Sequence, residues 1–408
     1  MSLRYIFVDL DSFFASCEQQ RDPALRGKPV GVVPMLANTT CCIAASYEAK
    51  AFGVKTGTTV AEARWLCPKI EFVEAGHAHY VDYHHKILEA VETCIPVTDV
   101  RSIDELFCEL PPNWRTEADA RVVAQKVRQA IAAAVGHCVT CSIGVGPNIL
   151  LSKIGSGMNK PCGLTILHQA NLPGPLAALQ LRDFYGIGKQ MAKRLARHKV
   201  YTVTDLYACS RTKLHSIWGS VEGDRLFAEL RGEIIDAAET TRRQVSHSHV
   251  LAPKMRNHEN AFSVIHRLTQ KAAMRLRKLE HYAGSLQISV KLGFDFKFRR
   301  QARFYPTQES RIFLKHLREL WAEIPEDTEV PSKVSIVLGD LVSEQNYTPP
   351  LFEDMNNPRN VKLDAAMDAL NKKHGSKTLY YAGAHHGRKE APMRIAFQHI
   401  PDLETEDD

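Results

Sequence analysis

Two short acidic stretches contain the residue types with which this sequence could do chemistry. Asp9 and Asp11 directly follow the apolar residues 5–8, and Asp104 and Glu105 lie inside the apolar run 97–110. A carboxylate in apolar surroundings is costly unless a cation neutralises it. Because magnesium prefers oxygen ligands, we expect the two stretches to converge on one metal site for phosphoryl transfer.

A hydroxyl group and an ammonium group follow further along the chain, in a segment of small residues. Residues 43–54 predict a helix that Gly53 closes in the manner of a C-cap. Tyr47 and Lys50 are three residues apart, so they would share one face of that helix. Such a face suits a triphosphate. The alternative is an exposed pair on a solvated helix.

Four motifs occur in the order found in Y-family translesion DNA polymerases. They lie at residues 9–18, 45–50, 102–105 and 160–163. The chain resembles the bacterial DNA polymerase IV and UmuC-like branch of that family, from about Tyr5 to about Leu341. Four motifs in a shared order are far more specific than any one of them. The resemblance therefore predicts a low-fidelity, template-directed DNA polymerase that extends a primer across damaged templates.

The resemblance implies a site for two metal ions. Asp9, Asp104 and Glu105 would hold two magnesium ions, with the carbonyl group of Leu10 as a further ligand. Strict strand alternation would place the side chains of Asp104 and Glu105 on opposite faces. Both can therefore bind metal only where the strand turns or bulges, as at the end of a hairpin. Asp11 is either another ligand or a solvated turn residue.

The resemblance also implies which residues contact the incoming deoxynucleoside triphosphate (dNTP). Tyr47, Lys50 and Lys160 would bind its phosphates, and Phe13 and Phe14 would lie beside the nucleotide. Phe14 matches the steric-gate position, where an aromatic ring disfavours a ribose 2′-hydroxyl group, and its alternative is an ordinary core aromatic. Some relatives have arginine where Lys50 stands, and lysine keeps the charge but loses the bidentate fork.

The expected fold class is an α/β multidomain polymerase shaped like a right hand. Strands and helices alternate in the first part of the chain, which predicts the class, while the hand-like division follows from the resemblance. The expected domains are a palm (1–27 and 76–166), fingers (28–75), a helical thumb with a helix-hairpin-helix (167–235), a linker (236–245), a β-α-β-β-α-β little finger (246–342) and a tail (343–408).

The thumb contains a first candidate contact with primer-template DNA. Gly186, Gly188 and Lys189 form a glycine-lined turn before a basic helix at residues 190–199. Backbone N–H groups exposed at the start of a helix are a natural cradle for phosphate.

The little finger contains a second candidate contact with DNA. Its β-α-β-β-α-β order fits a four-stranded sheet with two helices on one face. Lys291, Arg299 and Arg303 would add positive charge to the polar face. Such a face suits phosphate backbones, and the alternative is a merely solvated sheet face.

The tail shows one candidate partner motif. The segment from Thr348 to Phe352 resembles the short motif by which such polymerases hold the sliding clamp, although the usual leading glutamine is missing. Clamp binding and its absence remain equal alternatives. A short helix is expected at 361–370, a loop rather than a metal site at His385-His386, and an acidic end at 402–408.

Composition limits the remaining possibilities. The chain has 408 residues, 44% of them hydrophobic, and a formal charge of +6, which fits a globular protein of several domains and permits a nucleic-acid partner. The ten cysteines and the lack of a secretion signal predict reduced thiols, with Cys138 and Cys141 as core residues. No apolar run reaches about 18 residues, so no membrane span is expected. We expect a monomer in a bacterial cytoplasm.

Two rival functions come from other classes of protein. A catalytically silent, DNA- and clamp-binding scaffold would be expected to lose the acidic triad, but Asp9, Asp104 and Glu105 are all present. A nucleotidyl cyclase on a similar palm would leave the helix-hairpin-helix and the C-terminal sheet without a purpose.

Overall fold

The structure is a computed structural model, and its described parts carry nearly all of the predicted elements. It describes residues 3–38, 40–235, 242–293, 296–325, 329–350, 358–375, 378–390 and 400. Residues 236–241 of the predicted linker, Leu351 and Phe352 of the clamp-like motif, and the acidic end lie outside the described residues. The chain forms two compact units. Among the described residues, the first contains 3–235 and 400, and the second contains 242–390.

The first unit alternates strands and helices before it becomes wholly helical. Its elements in chain order are β1 (Tyr5–Leu10), α1 (Phe13–Arg21), β2 (Val30–Val33), β3 (Ala44–Ala45), α2 (Tyr47–Lys50), α3 (Val60–Leu66), β4 (Glu71–Glu74), α4 (His77–Glu92), β5 (Asp99–Ser102), β6 (Glu105–Glu109), α5 (Glu117–Val135), β7 (Cys141–Gly146), α6 (Ile149–Met158), β8 (Leu164–Ile166), α7 (Lys189–Arg197), α8 (Val203–Ala208), α9 (Arg211–Trp218) and α10 (Glu222–Glu229).

The acidic residues belong to a five-stranded sheet of order β5-β6-β1-β7-β8. β1 is central and antiparallel to both of its neighbours, while β7 and β8 are parallel. Helix α6 packs against β1 and β7, and this close approach requires Gly144. A Cβ atom at Gly144 would lie 1.9 Å from the carbonyl oxygen of Ser152. The sheet and α6 therefore form a rigid base for the end of β1.

A second, smaller sheet has the order β3-β2-β4 and its own apolar core. The helix predicted at residues 43–54 is wrong in its extent, because Ala44 and Ala45 pair with β2 as a strand. Only α2 is helical, and the hydroxyl group of Ser46 caps it by accepting from the N–H of Ala49. Gly53 has a φ of +88°, as expected for a residue that follows the end of a helix.

The helical region that follows β8 is built around α7 to α10. Its apolar core includes Leu195, Leu206 and Leu214, and it extends onto Leu151 and Ile154 of α6. The predicted basic helix is confirmed as α7, which begins at Lys189 directly after the glycine-lined turn.

The second unit confirms the β-α-β-β-α-β order. Its elements are β9 (Val245–Val250), α11 (His258–Lys278), β10 (His281–Leu292), β11 (Phe296–Thr307), α12 (Ser310–Ala322), β12 (Pro331–Ser343) and α13 (Pro358–His374). The strands form one antiparallel sheet of order β11-β10-β12-β9. Helices α11 and α12 pack on the sheet, where Leu286, Ile288 and Val290 of β10 are fully buried.

Tail residues 358–375 and 378–390 belong to the second unit and pack within it. α13 is longer than the helix predicted at 361–370, and its Asp364 is 2% exposed. The carboxylate of Asp364 accepts hydrogen bonds from the Ser310 backbone at 2.8 Å and from the Tyr381 hydroxyl group at 3.0 Å. His385 and His386 follow a 3-10 turn at Ala382–Ala384, so the predicted loop is confirmed.

The ten cysteines lie within the described residues and are free thiols. Cys141 is buried as predicted, whereas Cys138 is only half-buried, because it precedes the strand instead of lying in it. In the parts of the chain that the structure describes, no helix has both the length and the apolar character needed to cross a membrane.

Candidate active site

The end of β1 meets the turn of the β5–β6 hairpin, which brings three carboxylates together. Asp9 and Glu105 are directly paired across the two strands, so their side chains share a face. The N–H of Leu10 donates to the carbonyl oxygen of Asp104 at 2.8 Å. Asp104 lies in the turn between the strands, next to a register shift that follows Val100. The turn that would be needed for Asp104 and Glu105 to serve one metal site is therefore present.

Each of the three carboxylates is held by a different side chain. Asp9 forms an ion pair with Lys160, and Glu105 forms one with Lys153 at 2.7 Å. Asp104 accepts a hydrogen bond from the hydroxyl group of Ser102 at 2.6 Å. Among the described residues, no three acidic, histidine or cysteine side chains are already arranged around a cation position. The three carboxylates are therefore close in the fold, but each contacts its own partner side chain.

The charge balance of the site favours a hard cation. The pKa of Asp9 is raised to about 6, chiefly by burial. Lys160 opposes this rise, and the carboxylates of Glu105 and Asp104 contribute to it. Two ammonium groups face three carboxylates, so negative charge is left over in a partly buried place. An all-oxygen donor set of this kind matches the preference of magnesium. The residues present therefore fit a divalent metal.

Lys153 is a site residue that the sequence analysis missed. It lies on α6, and its ammonium nitrogen is 2.7 Å from Glu105, 5.4 Å from the centre of the Phe7 ring and 4.5 Å from the centre of the Tyr185 ring. Tyr185 belongs to the glycine-lined turn before α7. The local sequence gives no signal for this contact, because Lys153 and Glu105 are 48 residues apart and meet only through the packing of α6 on the sheet.

The buried side chain of His84 forms a hydrogen bond with the backbone of the hairpin turn. Its Nδ1 atom is 2.8 Å from the carbonyl oxygen of Ile103, the residue before Asp104. Burial lowers the pKa of His84 to about 4, so the ring is neutral at neutral pH and donates one N–H to that carbonyl. Nothing in the local sequence indicates this contact, because α4 and the hairpin are separate elements.

The two candidate phosphate-binding residues of α2 share one face, as predicted. The ammonium group of Lys50 lies 4.2 Å from the centre of the Tyr47 ring and 2.6 Å from the hydroxyl oxygen of Ser12. Burial lowers the pKa of Lys50, and the positive charge of Lys160 lowers it further. Tyr47, Lys50 and Lys160 are therefore close enough to Asp9 for electrostatic interaction with it.

Phe13 and Phe14 have different environments. Phe13 is 3% exposed and belongs to the core. Phe14 is half-buried, and its ring stacks on Tyr80 with centres 4.4 Å apart and planes 15° apart. The Tyr80 hydroxyl group in turn donates to Glu18 at 2.7 Å. Of the two residues, only Phe14 is partly exposed.

Asp11 is not the solvated turn residue that was one of its two expected roles. Its residue exposure is 1%, because β7 and the turn after Lys160 enclose it. Four donors contact its carboxylate oxygens. The structure thus contradicts the solvated alternative.

The candidate DNA contacts of the thumb lie at the start of α7. Gly186 has a φ of +85°, which favours glycine. Gly188 is the N-cap residue and provides no side-chain cap to the first N–H groups of the helix. The first N–H groups of the helix are therefore not capped by the side chain of the N-cap residue, and the Lys189 side chain beside them is exposed to solvent.

The candidate DNA contacts of the second unit lie on the sheet face opposite the helices. Lys291 pairs with Lys297 and with Lys333 across the sheet, and Arg299 pairs with Ser289. These positions alternate with the buried residues of β10, so they share the polar face. Arg303 lies on the same face, where Asp340 is 3.7 Å away.

Comparisons with known proteins agree with this geometry. The impB/mucB/samB family model matches residues 8–157, and the model of the C-terminal domain of that family matches residues 242–351. A protein of Pelotomaculum thermopropionicum named DNA polymerase IV is 32% identical, over 92% of this chain and 94% of its own length. A protein of Staphylococcus saprophyticus with the same name is 30% identical, over 83% of this chain and 95% of its own.

Solved structures show the same fold. A chimeric Y-family DNA polymerase with Dbh segments matches with a TM-score of 0.70 and 21% identity, over 83% of this chain and 99% of its own. The fold and the acidic hairpin define the class of Y-family DNA polymerases. Within that class, the chain belongs to the impB/mucB/samB family, on the branch of proteins named DNA polymerase IV.

Proposed function

We propose that this chain transfers a nucleotidyl group from a dNTP to the 3′-hydroxyl group of a primer, under the direction of a template that can be damaged. The observation that carries the proposal is the pairing of Asp9 with Glu105 at a hairpin turn that also contains Asp104. Cationic and hydroxyl side chains suited to a triphosphate lie beside it. Family membership supplies the reaction class that fits this site.

The metal proposed for the site is magnesium, as two ions. Asp9, Asp104 and Glu105 would hold them, with the carbonyl group of Leu10 as a further ligand. Bound metal would stabilise the charge on the attacking and leaving oxygens of an in-line displacement. Lys160, which is paired with Asp9, would then be free to neutralise a phosphate of the dNTP.

The nucleotide is proposed to lie between α2 and the start of α1. Lys50, Lys160 and the hydroxyl group of Tyr47 would orient its phosphates. Phe14 would lie against the sugar, while the buried Phe13 would act by supporting the ring of Phe14, whose centre is 5.8 Å from its own. Orientation of the reactants can supply a large share of the rate enhancement in phosphoryl transfer.

The proposed division of labour follows the expected domains. Residues 1–27 and 76–166 would act as palm, 28–75 as fingers, 167–235 as thumb and 246–342 as little finger, with a linker at 236–245. Primer-template DNA would be held by Gly186, Gly188 and Lys189 and by the polar sheet face. We further propose a monomer that acts on DNA in a bacterial cytoplasm, and clamp binding through the segment that begins at Thr348.

A primer-extension assay with magnesium tests the proposed reaction. Asp104→Asn and Glu105→Gln should each reduce nucleotide addition by about a hundredfold or more, because losing one ligand charge weakens charge stabilisation by several kcal/mol. The affinity for primer-template DNA should stay close to that of the wild type. Asp99→Asn, an exposed position in the same hairpin, is the matched control. Near-normal extension by either site variant would contradict the catalytic assignment.

A further inference from the structure

Asp11 is a buried carboxylate to which the proposed reaction gives no role. Its Oδ1 atom accepts from the hydroxyl groups of Ser142 at 2.8 Å and Tyr47 at 3.4 Å. Its Oδ2 atom accepts from the hydroxyl group of Thr140 at 3.1 Å and from the backbone N–H of Cys162 at 2.9 Å. A carboxylate has about four acceptor positions, so these donors occupy it fully.

The four donors come from distant parts of the chain. Thr140 and Ser142 lie at the start of β7, Tyr47 lies on α2, and Cys162 lies in the turn before β8. Their separations from Asp11 in sequence range from 36 to 151 residues. The chain thus spends a buried charge on connecting the small sheet unit around α2 to the larger sheet.

Two of these donors control the proposed triphosphate contacts. Tyr47 is itself one of those contacts, and Cys162 comes two residues after Lys160. Cys162 has a φ of +55°, and a Cβ atom at Gly163 would lie 1.7 Å from the carbonyl oxygen of Asn159. The turn that carries Lys160 therefore has little freedom, and its N–H group at Cys162 is anchored to Asp11.

We propose that Asp11 is a positioning residue that aligns Tyr47 and Lys160 on the incoming triphosphate, and that it is not a metal ligand. The inference rests on the proposed function of Tyr47 and Lys160 as triphosphate contacts. Asp11 acts through these two residues and does not touch the substrate. Its saturated carboxylate has no acceptor position left for a cation.

The chemistry of the donors predicts different effects for two substitutions. In Asp11→Asn, the amide oxygen can face Cys162 and Thr140, while the amide NH₂ group faces the hydroxyl groups of Ser142 and Tyr47. Hydroxyl groups can turn to accept, whereas a backbone N–H cannot. Asparagine therefore keeps the turn anchored. Asp11→Ala leaves the Cys162 N–H and three hydroxyl groups without their partner.

The test measures dNTP binding without chemistry, on full-length protein with DNA that carries a dideoxy-terminated primer. Asp11→Ala should weaken dNTP binding by about tenfold or more, and Asp11→Asn should restore most of that loss. Primer-template affinity should change by less than about twofold in both variants. In the complete reaction, the effect should fall mainly on KM. Unchanged dNTP affinity in Asp11→Ala would overturn the inference.

Binding of Mn²⁺ to the protein without nucleotide separates a positioning residue from a ligand. Asp9→Asn should lose most of this binding, whereas Asp11→Asn should keep it within about twofold. Loss of Mn²⁺ binding in Asp11→Asn equal to that in Asp9→Asn would make Asp11 a ligand and overturn the inference. Because asparagine preserves the packing, this comparison holds even where Asp11→Ala does not fold.

Lys160→Ala and Tyr47→Phe distinguish failure of the inference from failure of the proposed function. If both bind dNTP like the wild type, the proposed triphosphate contacts are wrong, and the inference falls with them. If they weaken dNTP binding and Asp11→Ala does not, only the inference is wrong. Asp99→Asn should leave dNTP affinity unchanged and is the matched control for a lost carboxylate.

Discussion

At the scale of single residues, two adjacent phenylalanines of the candidate site differ in burial. Phe13 is in the core, while Phe14 stacks on Tyr80, which is completely buried and tethered to Glu18. A ring fixed in this way cannot move aside for a larger ligand. Partial exposure of Phe14 beside this fixed ring suits the steric-gate prediction, which the following experiment tests.

Phe14→Ala should raise ribonucleotide incorporation by about tenfold or more, with a smaller effect on deoxynucleotides. A 2′-hydroxyl group pressed against a fixed ring costs roughly 1–3 kcal/mol, as misfits in tight sites do. Single-nucleotide kinetics with matched ribo- and deoxyribonucleotides measure the difference. Phe14→Tyr keeps the ring and should keep the discrimination. If a folded, active Phe14→Ala enzyme discriminates like the wild type, Phe14 is a core residue and no gate.

Asp9 shows the cost of preparing a metal site. Its pKa is raised from 3.8 to about 6 in the folded protein, chiefly by burial. A carboxyl group with a higher pKa in the folded state contributes stability that is lost as the pH rises from about 4 to about 6. At neutral pH, the metal-free protein therefore carries a destabilising charge at Asp9.

Asp9→Asn should accordingly raise the unfolding temperature of the metal-free protein at about pH 7.5, because asparagine removes that charge. Near pH 3 the aspartic acid is largely neutral in both states, so the two proteins should unfold at similar temperatures. Thermal unfolding in the presence of a chelator measures both points, and excess magnesium should stabilise only the wild type. A variant that is less stable at pH 7.5 would show that the ion pair with Lys160 outweighs burial.

At the scale of elements, helix α6 connects the five-stranded sheet to the helical region of α7 to α10. It packs on β1 and β7 through Gly144, and its apolar face joins the core of the helical region. Lys153 projects from this helix between Glu105 and Tyr185. A single lysine thus contacts a carboxylate of the proposed metal site and the turn proposed to hold DNA.

Lys153→Met should strengthen binding of Mn²⁺ to the DNA-free protein by about threefold to tenfold. The ammonium group competes with a cation for Glu105, and removing a half-buried partner is worth about 1 kcal/mol. Calorimetric titration of Mn²⁺ measures the change, and Lys126→Met, on the exposed side of α5, is the control. Weaker Mn²⁺ binding in Lys153→Met would mean that the lysine orients Glu105 for the metal and does not compete with it.

At the scale of the whole molecule, each of the two units has its own candidate surface for binding phosphate groups. The first unit offers backbone N–H groups at the start of α7, and the second offers a polar sheet face. On that face the exposed Lys291 and Arg299 lie among serine and lysine neighbours. Neither arrangement can distinguish bases, which suits a polymerase that must accept any sequence.

Lys291→Glu combined with Arg299→Glu should weaken primer-template binding similarly on unrelated sequences. The loss of two phosphate contacts should reduce the slope of log affinity against log salt by about 1.8. Lys315→Glu combined with Arg318→Glu changes the net charge equally from α12, on the helix side of the sheet, and is the control. A salt slope equal to that of the wild type would show that this sheet face does not contact DNA.

The sequence alone determined the elements whose signals are local. It predicted the basic helix that directly follows the glycine-lined turn at Gly186 and Gly188, and this helix is α7. It likewise predicted the β-α-β-β-α-β order of the second unit. In each case the residues that decide the structure are close neighbours in the chain.

Only the tertiary structure decided which side chains meet. Asp11 and Ser142 are 131 residues apart, and Glu105 and Lys153 are 48 residues apart, so no local pattern could pair them. The helix expected at residues 43–54 was shortened by strand pairing between Ala45 and Gly31. Hydrogen bonds and ion pairs form wherever packing brings donors and acceptors together, and packing depends on the whole chain. The burial of Asp11 is a consequence of that packing.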